Sequence, residues 1–381
     1  MTTREVKTKS WFERILGSFV GVMFGLVFFV ASFVVIFVNE GRAVHRARVL
    51  EAGRGAVVSL ASPTPSPANE GKLVHFTGSL ATEAVLEDPA FAFRAPGVRL
   101  ERRVEMFQWK EKTESRSRSN VGGSETTTTV YTYETTWSEA PIDSSAFKER
   151  EHVNPPMPVQ TARFAASDVA VGGFLLSSAL VDQVEGWQSV APTEAQVPVV
   201  AATVGRPVAI RGGVLTTAAD PAAPHVGDLR ITLRVAPAGQ PVTVLAKQTG
   251  RTLAPWVTSD DTLEPTLRMG TESASALFGE LETENTVMTW VFRWGGFLAM
   301  WIGLLLIFRP AAVLADVLPW IGRLVQGGVG MVTFVIALGL SLVTVAVGWM
   351  AFRPLVAVPL TVGGVGLAVF AIVRKTRRAP A

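Results

Sequence analysis

The sequence GGVGMVTFVIALGLSLVTVAVGWMAF at residues 327–352, followed after Arg353-Pro354 by LVAVPLTVGGVGLAVFAIV at residues 355–373, decides the architecture of this chain. Neither block carries a charged side chain. An α-helix rises ~1.5 Å per residue and the hydrocarbon core of a bilayer is ~30 Å thick, so about 20 apolar residues span it. Both blocks are long enough, and the short connection predicts a tight helical hairpin. We therefore expect the C-terminal part of the chain to lie in a membrane.

Two further apolar blocks occupy residues 17–38 and 287–308. The second contains one charge, Arg293, which we expect to snorkel to the membrane interface. A cleaved signal peptide is the alternative for the first block, because it also begins basic and then turns apolar. Signal h-regions usually run about 7–15 residues, this block is longer, and no small-x-small cleavage site follows it. We interpret it as an uncleaved anchor, which gives four predicted transmembrane helices.

The segment 309–326 separates the second and third predicted spans. Its apolar residues fall on one helical face and its charged residues on another, so we expect an amphipathic helix in the membrane interface, kinked at Pro319. An ordinary cytoplasmic loop is the alternative.

Basic residues cluster in the two tails, residues 1–16 and 374–381. Four spans place both tails on the same side, and the positive-inside rule assigns that side to the cytoplasm. The large segment 39–286 is then extracytoplasmic, and a bilayer separates Ser10 from Asn120.

Residues 39–286 are predicted to form a β-rich α+β domain. Alternating apolar residues predict strands, among them 227–235 and 242–248, which we expect to pair across the turn at 237–240. A charged stretch and a Thr/Tyr-rich stretch flank Asn120-Val-Gly-Gly and predict a hairpin over 110–138, with Trp109 near Trp137. A disordered polar loop is the alternative. Apolar spacing predicts a helix over 165–187.

The residues exclude several chemistries and identify no reaction. The chain has no cysteine, so thiolate metal sites and disulfides are excluded. The four histidines show no metal-ligand spacing, and no phosphate- or dinucleotide-binding motif appears, so no catalytic residue, cofactor or metal is predicted. His75, Glu105 and Asp228 could converge only through tertiary structure. A net charge of only +3 gives little support to a nucleic-acid partner.

Small residues predict close helix packing. Gly17, Gly21 and Gly25 recur every four residues and form one smooth groove on the first span, and Gly363 and Gly364 make the fourth span similarly smooth. Close backbone approach is what holds helices together in lipid. We expect a partner within the chain, with a neighbouring copy as the alternative.

Six short stretches lie in order along the chain: FVNEGRA at 37–43, NEGKLVH at 69–75, VEMFQW at 104–109, FLLSS at 174–178, VGDLR at 226–230 and FRPL at 352–355. Together they resemble the transmembrane protein 43, or LUMA, family. Fourteen positions in them are taken as family-motif residues: Asn39, Glu40, Gly41, Arg42, Asn69, Glu70, Gly71, Glu105, Gln108, Trp109, Gly227, Asp228, Arg353 and Pro354.

The resemblance implies one N-terminal span, a large luminal domain and three C-terminal spans. It also implies a non-enzymatic organiser of membrane protein complexes, without cofactor, that associates with itself and with envelope proteins. Eukaryotic members lie in the endoplasmic reticulum and inner nuclear membrane. The absence of cysteine and the Ala/Arg/Val-rich composition suggest a bacterial member, with its domain in the periplasm and its spans in the inner membrane.

The sequence therefore predicts a self-associating scaffold whose partners are the bilayer, other copies of itself and envelope proteins. Two other classes stay open. A membrane-bound enzyme acting on lipid or envelope polymer would need a cleft lined by His75, Glu105 or Asp228. A channel or transporter would need a polar path between the spans.

Overall fold

The computed structural model describes residues 2–259, 261–317 and 319–355. The chain divides into two compact units. The first comprises Met1–Glu5, Glu51–Ser115 and Thr129–Phe278; the second comprises Val6–Leu50, Arg116–Thr128 and Gly279–Ala381. The predicted fourth span, with Gly363 and Gly364, lies outside the described residues.

The helices are α1 Trp11–Ala56, α2 Ser178–Val181, α3 Gln196–Val204, α4 Ala274–Ile307, α5 Arg309–Ala315 and α6 Pro319–Phe352, with a short 3-10 turn at Pro67–Asn69. Within the described ranges, three stretches are long and apolar enough to cross a membrane: Trp11–Ala56, Ala274–Ile307 and Leu324–Phe352. They contain the first three predicted spans. Pro319 begins α6 instead of kinking a helix, because proline lacks the N–H that a continuing helix needs but fits its first turn.

The strands are β1 Thr2–Lys9, β2 Val58–Ser59, β3 Leu73–Ala81, β4 Val85–Asp88, β5 Phe93–Pro96, β6 Arg99–Ser119, β7 Glu125–Ser138, β8 Ala162–Ala165, β9 Ala170–Val171, β10 Phe174–Leu175, β11 Gln188–Val190, β12 Ala209–Arg211, β13 Val214–Thr216, β14 Leu229–Ala236, β15 Pro241–Thr249, β16 Thr252–Ala254, β17 Trp256–Val257, β18 Thr262–Leu263 and β19 Thr266–Met269. An eight-stranded sheet follows the order β1-β7-β6-β14-β13-β12, with β8 on β6 and β11 on β14. A seven-stranded sheet follows the order β19-β15-β16-β10-β9-β3-β2, in which β15 also pairs with β3.

Apolar residues of both sheets share one core in the first unit. Val74 and Phe76 of β3 lie in it together with Leu229 and Ile231 of β14. Phe76 stacks on Phe174, with 4.6 Å between ring centroids. Burying one such side chain contributes ~1.5–3 kcal/mol, so this shared core holds the two sheets together. The prediction of a large β-rich domain is confirmed.

The predicted pairing of strands 227–235 and 242–248 is wrong. β14 pairs with β6, from Leu229 opposite Met106 to Ala236 opposite Arg99, whereas β15 pairs with β3 in the other sheet. Period-two alternation identifies a strand and its buried face but does not identify its neighbour.

The predicted helix over 165–187 is also wrong. Val171 and Phe174 pair in the short strands β9 and β10 around Gly172, whose φ of +57° turns the chain. Only α2 is helical in this stretch. The apolar residues of the stretch 165–187 are spaced as on one face of a helix, but the turn at Gly172 directs them into the core between the sheets.

The predicted hairpin over 110–138 is confirmed as two strands, β6 and β7, but its ring contact is different. The hydroxyls of Ser115 and Thr129 lie 3.1 Å apart across the strands. The same register places Phe107 opposite Trp137, and their ring centroids are 5.2 Å apart. The prediction that Trp109 meets Trp137 assumed a register shifted by two residues, and is wrong.

Candidate functional site: a polar network between apolar helices

Glu40 is a buried carboxylate at the meeting point of α1, α4 and α6 in the second unit, and only 2% of its surface is exposed. Arg293 of α4 donates two hydrogen bonds to it, at 2.6 Å from Nε and 2.8 Å from Nη2. Trp349 of α6 donates a third from Nε1, at 3.0 Å. Paired, planar charge-assisted bonds of this kind are strong and directional, so one carboxylate orients all three helices.

Two glycines allow the helices to approach this carboxylate. A Cβ added at Gly348 of α6 would lie 2.9 Å from the Cβ of Glu40. A Cβ at Gly41 of α1 would lie 2.8 Å from the ring of Phe352. A side chain at Gly348 would displace Glu40 itself, whereas a side chain at Gly41 would require the Phe352 ring to move.

A second layer of hydrogen bonds continues along α1 and α4. Asn39 donates from Nδ2 to the carbonyl of Thr289 at 3.1 Å, and Arg42 donates from Nη1 to Asn285 at 3.1 Å. Asn285 in turn donates from Nδ2 to the carbonyl of Ala43 at 3.0 Å. The motif Asn39-Glu40-Gly41-Arg42 therefore holds α1 to α4 and α6 through one network of contacts.

The snorkelling expected of Arg293 is not what the structure shows. Its guanidinium is held by Glu40 and lies 5.0 Å from the ring centroid of Trp290. Charge pairing replaces the hydration that snorkelling would supply. Arg293 also lines an apolar cavity of about 130 Å³, whose other walls include Ser341 among aromatic and aliphatic side chains.

A second buried ion pair belongs to the same unit. Arg14 near the start of α1 donates to Asp316, just after α5, at 2.5 Å, and both side chains are less than 10% exposed. Ser119 and Gln326 also donate to this carboxylate, at 3.1 and 3.0 Å. Arg14 further donates to the carbonyl of Gly123, at 2.5 Å. The tip of the β6–β7 hairpin thus lies against the start of α1. The expectation that a bilayer separates Ser10 from Asn120 stays a prediction.

The three glycines of the first span have different surroundings. A Cβ at Gly25 would lie 2.7 Å from the carbonyl oxygen of Gly303 on α4, whereas one at Gly21 would meet Leu306 at an ordinary 3.8 Å. A Cβ at Gly17 would meet nothing within 4 Å. Of these three glycines, Gly25 is the one that packs against the backbone of α4, so α4 is its partner within the chain.

Asn69, Glu70 and Gly71 form the turn that leads into β3. Gly71 has a φ of +74° and donates its N–H to the carbonyl of Gln248 at 3.0 Å. The Glu70 carboxylate accepts from the N–H of Gly250 at 2.8 Å. The turn therefore ties β3 to the end of β15.

Glu105 and Asp228 both have structural partners. Glu105 forms an ion pair with Arg230, the residue opposite it on β14, at 2.8 Å. Asp228 accepts from the N–H of His225 at 2.8 Å and from the hydroxyl of Thr217 at 3.2 Å. Gly227, with a φ of +96°, completes that turn.

Gln108 and Trp109 hold the segment that follows the hairpin. Gln108 is fully buried, accepts from the N–H of Ile142 at 2.7 Å and donates to the carbonyl of Ala140 at 3.1 Å. The backbone of Trp109 exchanges two hydrogen bonds with the Asn154 side chain, at 2.7 and 2.9 Å. These side chains satisfy backbone groups that no strand would otherwise pair.

His75 lies on β3 of the seven-stranded sheet, whereas Glu105 lies on β6 of the eight-stranded sheet and Asp228 directly precedes β14 of that sheet. The Nε2 of His75 is 3.0 Å from the carbonyl oxygen of Glu272, and its Nδ1 is 3.4 Å from the hydroxyl of Ser59. Burial lowers the pKa of His75, against an opposing effect of the Glu272 carbonyl. The structure does not bring these three residues together, and no group of three His, Asp or Glu side chains suited to a metal occurs within the described ranges.

Arg353 and Pro354 end α6. The N–H of Arg353 donates to the carbonyl of Trp349 at 2.7 Å, which closes the last turn.

A buried carboxylate on β6 was not predicted from the sequence. Glu101 is 1% exposed and accepts hydrogen bonds from Arg163 on β8 and Arg234 on β14. Burial alone would raise the pKa of Glu101, but the two arginines outweigh it and lower the pKa. The alternating Arg residues of β14 were the available signal, because outward cations on a strand predict carboxylates on the neighbouring strand.

Fold and site together define an integral membrane protein: apolar helices joined by a buried polar network, with a large β-rich domain. The family model described as Transmembrane protein 43 matches residues 106–354. Human Transmembrane protein 43 is 37% identical over 99% of this chain and 95% of its own length, and the mouse protein is 36% identical over 90% and 87%. The Drosophila melanogaster Transmembrane protein 43 homolog is 27% identical over 90% of this chain and 91% of its own. The chain belongs to the transmembrane protein 43 family. No solved structure matches it.

Proposed function

We propose that this protein is a non-enzymatic membrane scaffold that associates with itself and presents its β-rich domain to envelope partners. One observation carries the proposal: α1, α4 and α6 are fixed to one another by Glu40, Arg293 and Trp349, and again by the contact of Gly25 with Gly303. Helices fixed in this way form a rigid membrane base, which suits the presentation of a domain.

The polar residues support this proposal over an enzyme. His75, Glu105 and Asp228 each serve a turn, a strand pair or a loop, and each binds different neighbours. A reaction needs a nucleophile, base or acid within reach of one substrate atom. The basic tails support an extracytoplasmic domain, and the cysteine-free composition supports a bacterial inner membrane with that domain in the periplasm.

Self-association is tested by measuring the mass of the protein assembly in a membrane. Cross-linking in native membranes, followed by light scattering of the protein in lipid nanodiscs, should give a multiple of 40.8 kDa. Mass spectrometry of the same preparation should find envelope proteins in fixed ratio. A single 40.8 kDa species with no co-purifying protein would contradict both self-association and scaffolding.

A further inference from the structure

The tip of the β6–β7 hairpin is held where the first apolar run of the second unit begins. Arg14 is the last charged residue before the uncharged run 15–38. Its guanidinium donates to the carbonyl of Gly123 at 2.5 Å, and the N–H of Gly122 donates to the carbonyl of Val317, just after α5, at 3.1 Å. A charged residue that ends a span lies at the surface of the hydrocarbon core, so these bonds favour a tip at the membrane interface.

Large apolar side chains are exposed beside these bonds. Val121, in the tip itself, is 82% exposed. Leu314 of α5 and the following Val317 are 54 and 42% exposed, and Phe12 in the first turn of α1 is 64% exposed. Apolar side chains that are exposed next to the start of a span suit contact with lipid, because they can enter the boundary between headgroups and acyl chains.

Exposed cations accompany these apolar side chains. Arg116 and Arg118 of β6 lie within ~15 Å of the turn, since a strand rises ~3.3 Å per residue. Lys9 ends β1, and the hydroxyl of the preceding Thr8 lies 3.2 Å from that of Thr126 on β7. All three cations are exposed. They therefore lie on or beside the same hairpin end.

The carboxylates near the tip already have partners. Glu125 and Asp316 both pair with Arg14, at 3.3 and 2.5 Å. Glu13 accepts from the N–H and the hydroxyl of Ser10, at 2.8 and 2.9 Å. The cations therefore dominate the outer surface of the tip, and that surface fits an anionic partner.

We propose that the hairpin tip, the end of β1 and α5 form one surface that binds the headgroups of anionic phospholipids. The exposed apolar side chains enter the acyl boundary, and the cations bind phosphate oxygens through charge-assisted hydrogen bonds. An anionic phospholipid fits both parts of the surface, because it presents negative charge directly above an apolar layer. Each Lys or Arg near such a layer typically strengthens binding about fivefold.

A fluorophore at the tip tests this binding locally. The chain contains no cysteine, so Val121→Cys gives a single labelling site in the full-length protein. In phosphatidylcholine vesicles, spin-labelled phosphatidylglycerol should quench this fluorophore more than an equal amount of spin-labelled phosphatidylcholine, and high salt should reduce the excess. Arg116→Gln with Arg118→Gln should remove most of the excess quenching. The control, Arg150→Gln with Arg211→Gln, removes two exposed charges elsewhere and should keep it.

A second variant separates charge from folding. Arg116→Lys with Arg118→Lys keeps both charges and should retain the excess quenching, and unchanged elution of all variants verifies their folding. Equal quenching by the two lipids in the otherwise unchanged protein would overturn the proposal. So would an equal loss in both glutamine variants, which would assign the preference to net charge, or an excess that survives Arg116→Gln with Arg118→Gln. Quenching by neither lipid would remove the tip from the membrane.

Discussion

At the scale of single residues, the stability of the protein should depend on the partners of the Glu40 carboxylate. This carboxylate is buried, and its oxygens accept from Arg293 and Trp349. Removing one partner of a buried ion pair leaves an uncompensated charge, which typically costs ~3–5 kcal/mol. We expect Arg293→Met to lower the melting temperature of the purified protein strongly.

The matched control for this prediction is the double variant Glu40→Met with Arg293→Met. Replacing both charges by apolar side chains removes the unpaired charge, so the double variant should melt well above Arg293→Met. Equal melting temperatures for the two variants would show that Glu40 and Arg293 do not depend on each other.

Tyr133 gives the domain a pH dependence at high pH. Burial, followed by the hydrogen bond from its hydroxyl to Glu111, raises its pKa from 10.0 to about 12. The folded state therefore holds this proton more tightly than the unfolded state, so the stabilisation is complete below pH 10 and is lost as the pH rises toward 12. Denaturant unfolding at pH 9 and 11 measures this loss. Tyr133→Phe should show a smaller loss, and an equal loss would contradict the assignment.

At the scale of elements, the crossing of α1 and α4 depends on backbone contact at Gly25. A Cβ there would lie 2.7 Å from the Gly303 carbonyl, so a leucine must force the helices apart. Overpacking typically costs ~1–3 kcal/mol. Gly25→Leu should therefore lower the melting temperature, whereas Gly17→Leu, which faces open space, should leave it nearly unchanged. Equal effects of both substitutions would contradict this crossing.

Elements with strong patterns were predictable, and their neighbours were not. The uncharged run at 327–352 required a long helix, and the alternation in β14 required a strand. The apolar spacing over 165–187 was misleading, because a positive φ at Gly172 breaks the chain there. The polar network around Glu40 was predicted only as a sequence motif. Arg293 is distant from Glu40 in sequence, and hydrophobic periodicity does not predict contacts between distant residues.

At the scale of the whole molecule, a labelling experiment can determine on which side of the membrane the hairpin tip lies. The contact of Arg14 with Gly123 predicts that the tip and Ser10 lie on one side. Single cysteines at Ser10, at Val121, which is 82% exposed, and at exposed Ala222 can be labelled with an impermeant thiol reagent in sealed vesicles. We expect Ser10 and Val121 to react alike, and the reaction of Ala222 reports the side on which the β-rich domain lies.

Each alternative result of that labelling has a physical meaning. Labelling of Val121 together with Ala222 but not with Ser10 would show that the tip contact does not form in a membrane. Labelling of Ser10 and Val121 from one side and of Ala222 from the other would require a polar path for the charged strands that lead to the tip, because hydrocarbon does not accommodate Lys110, Glu111 or Arg116. That path would favour the channel alternative over the scaffold.

The sequence by itself determined that apolar helices and a β-rich domain make up this protein, because hydrophobic length and alternation are local properties of a chain. It also identified Asn39-Glu40-Gly41-Arg42 as a motif. Only the tertiary structure decided that β14 and β15 enter different sheets, that Gly25 meets Gly303 and that Glu40 binds Arg293. Those choices depend on which distant surfaces can be buried together, and short-range pattern does not encode that.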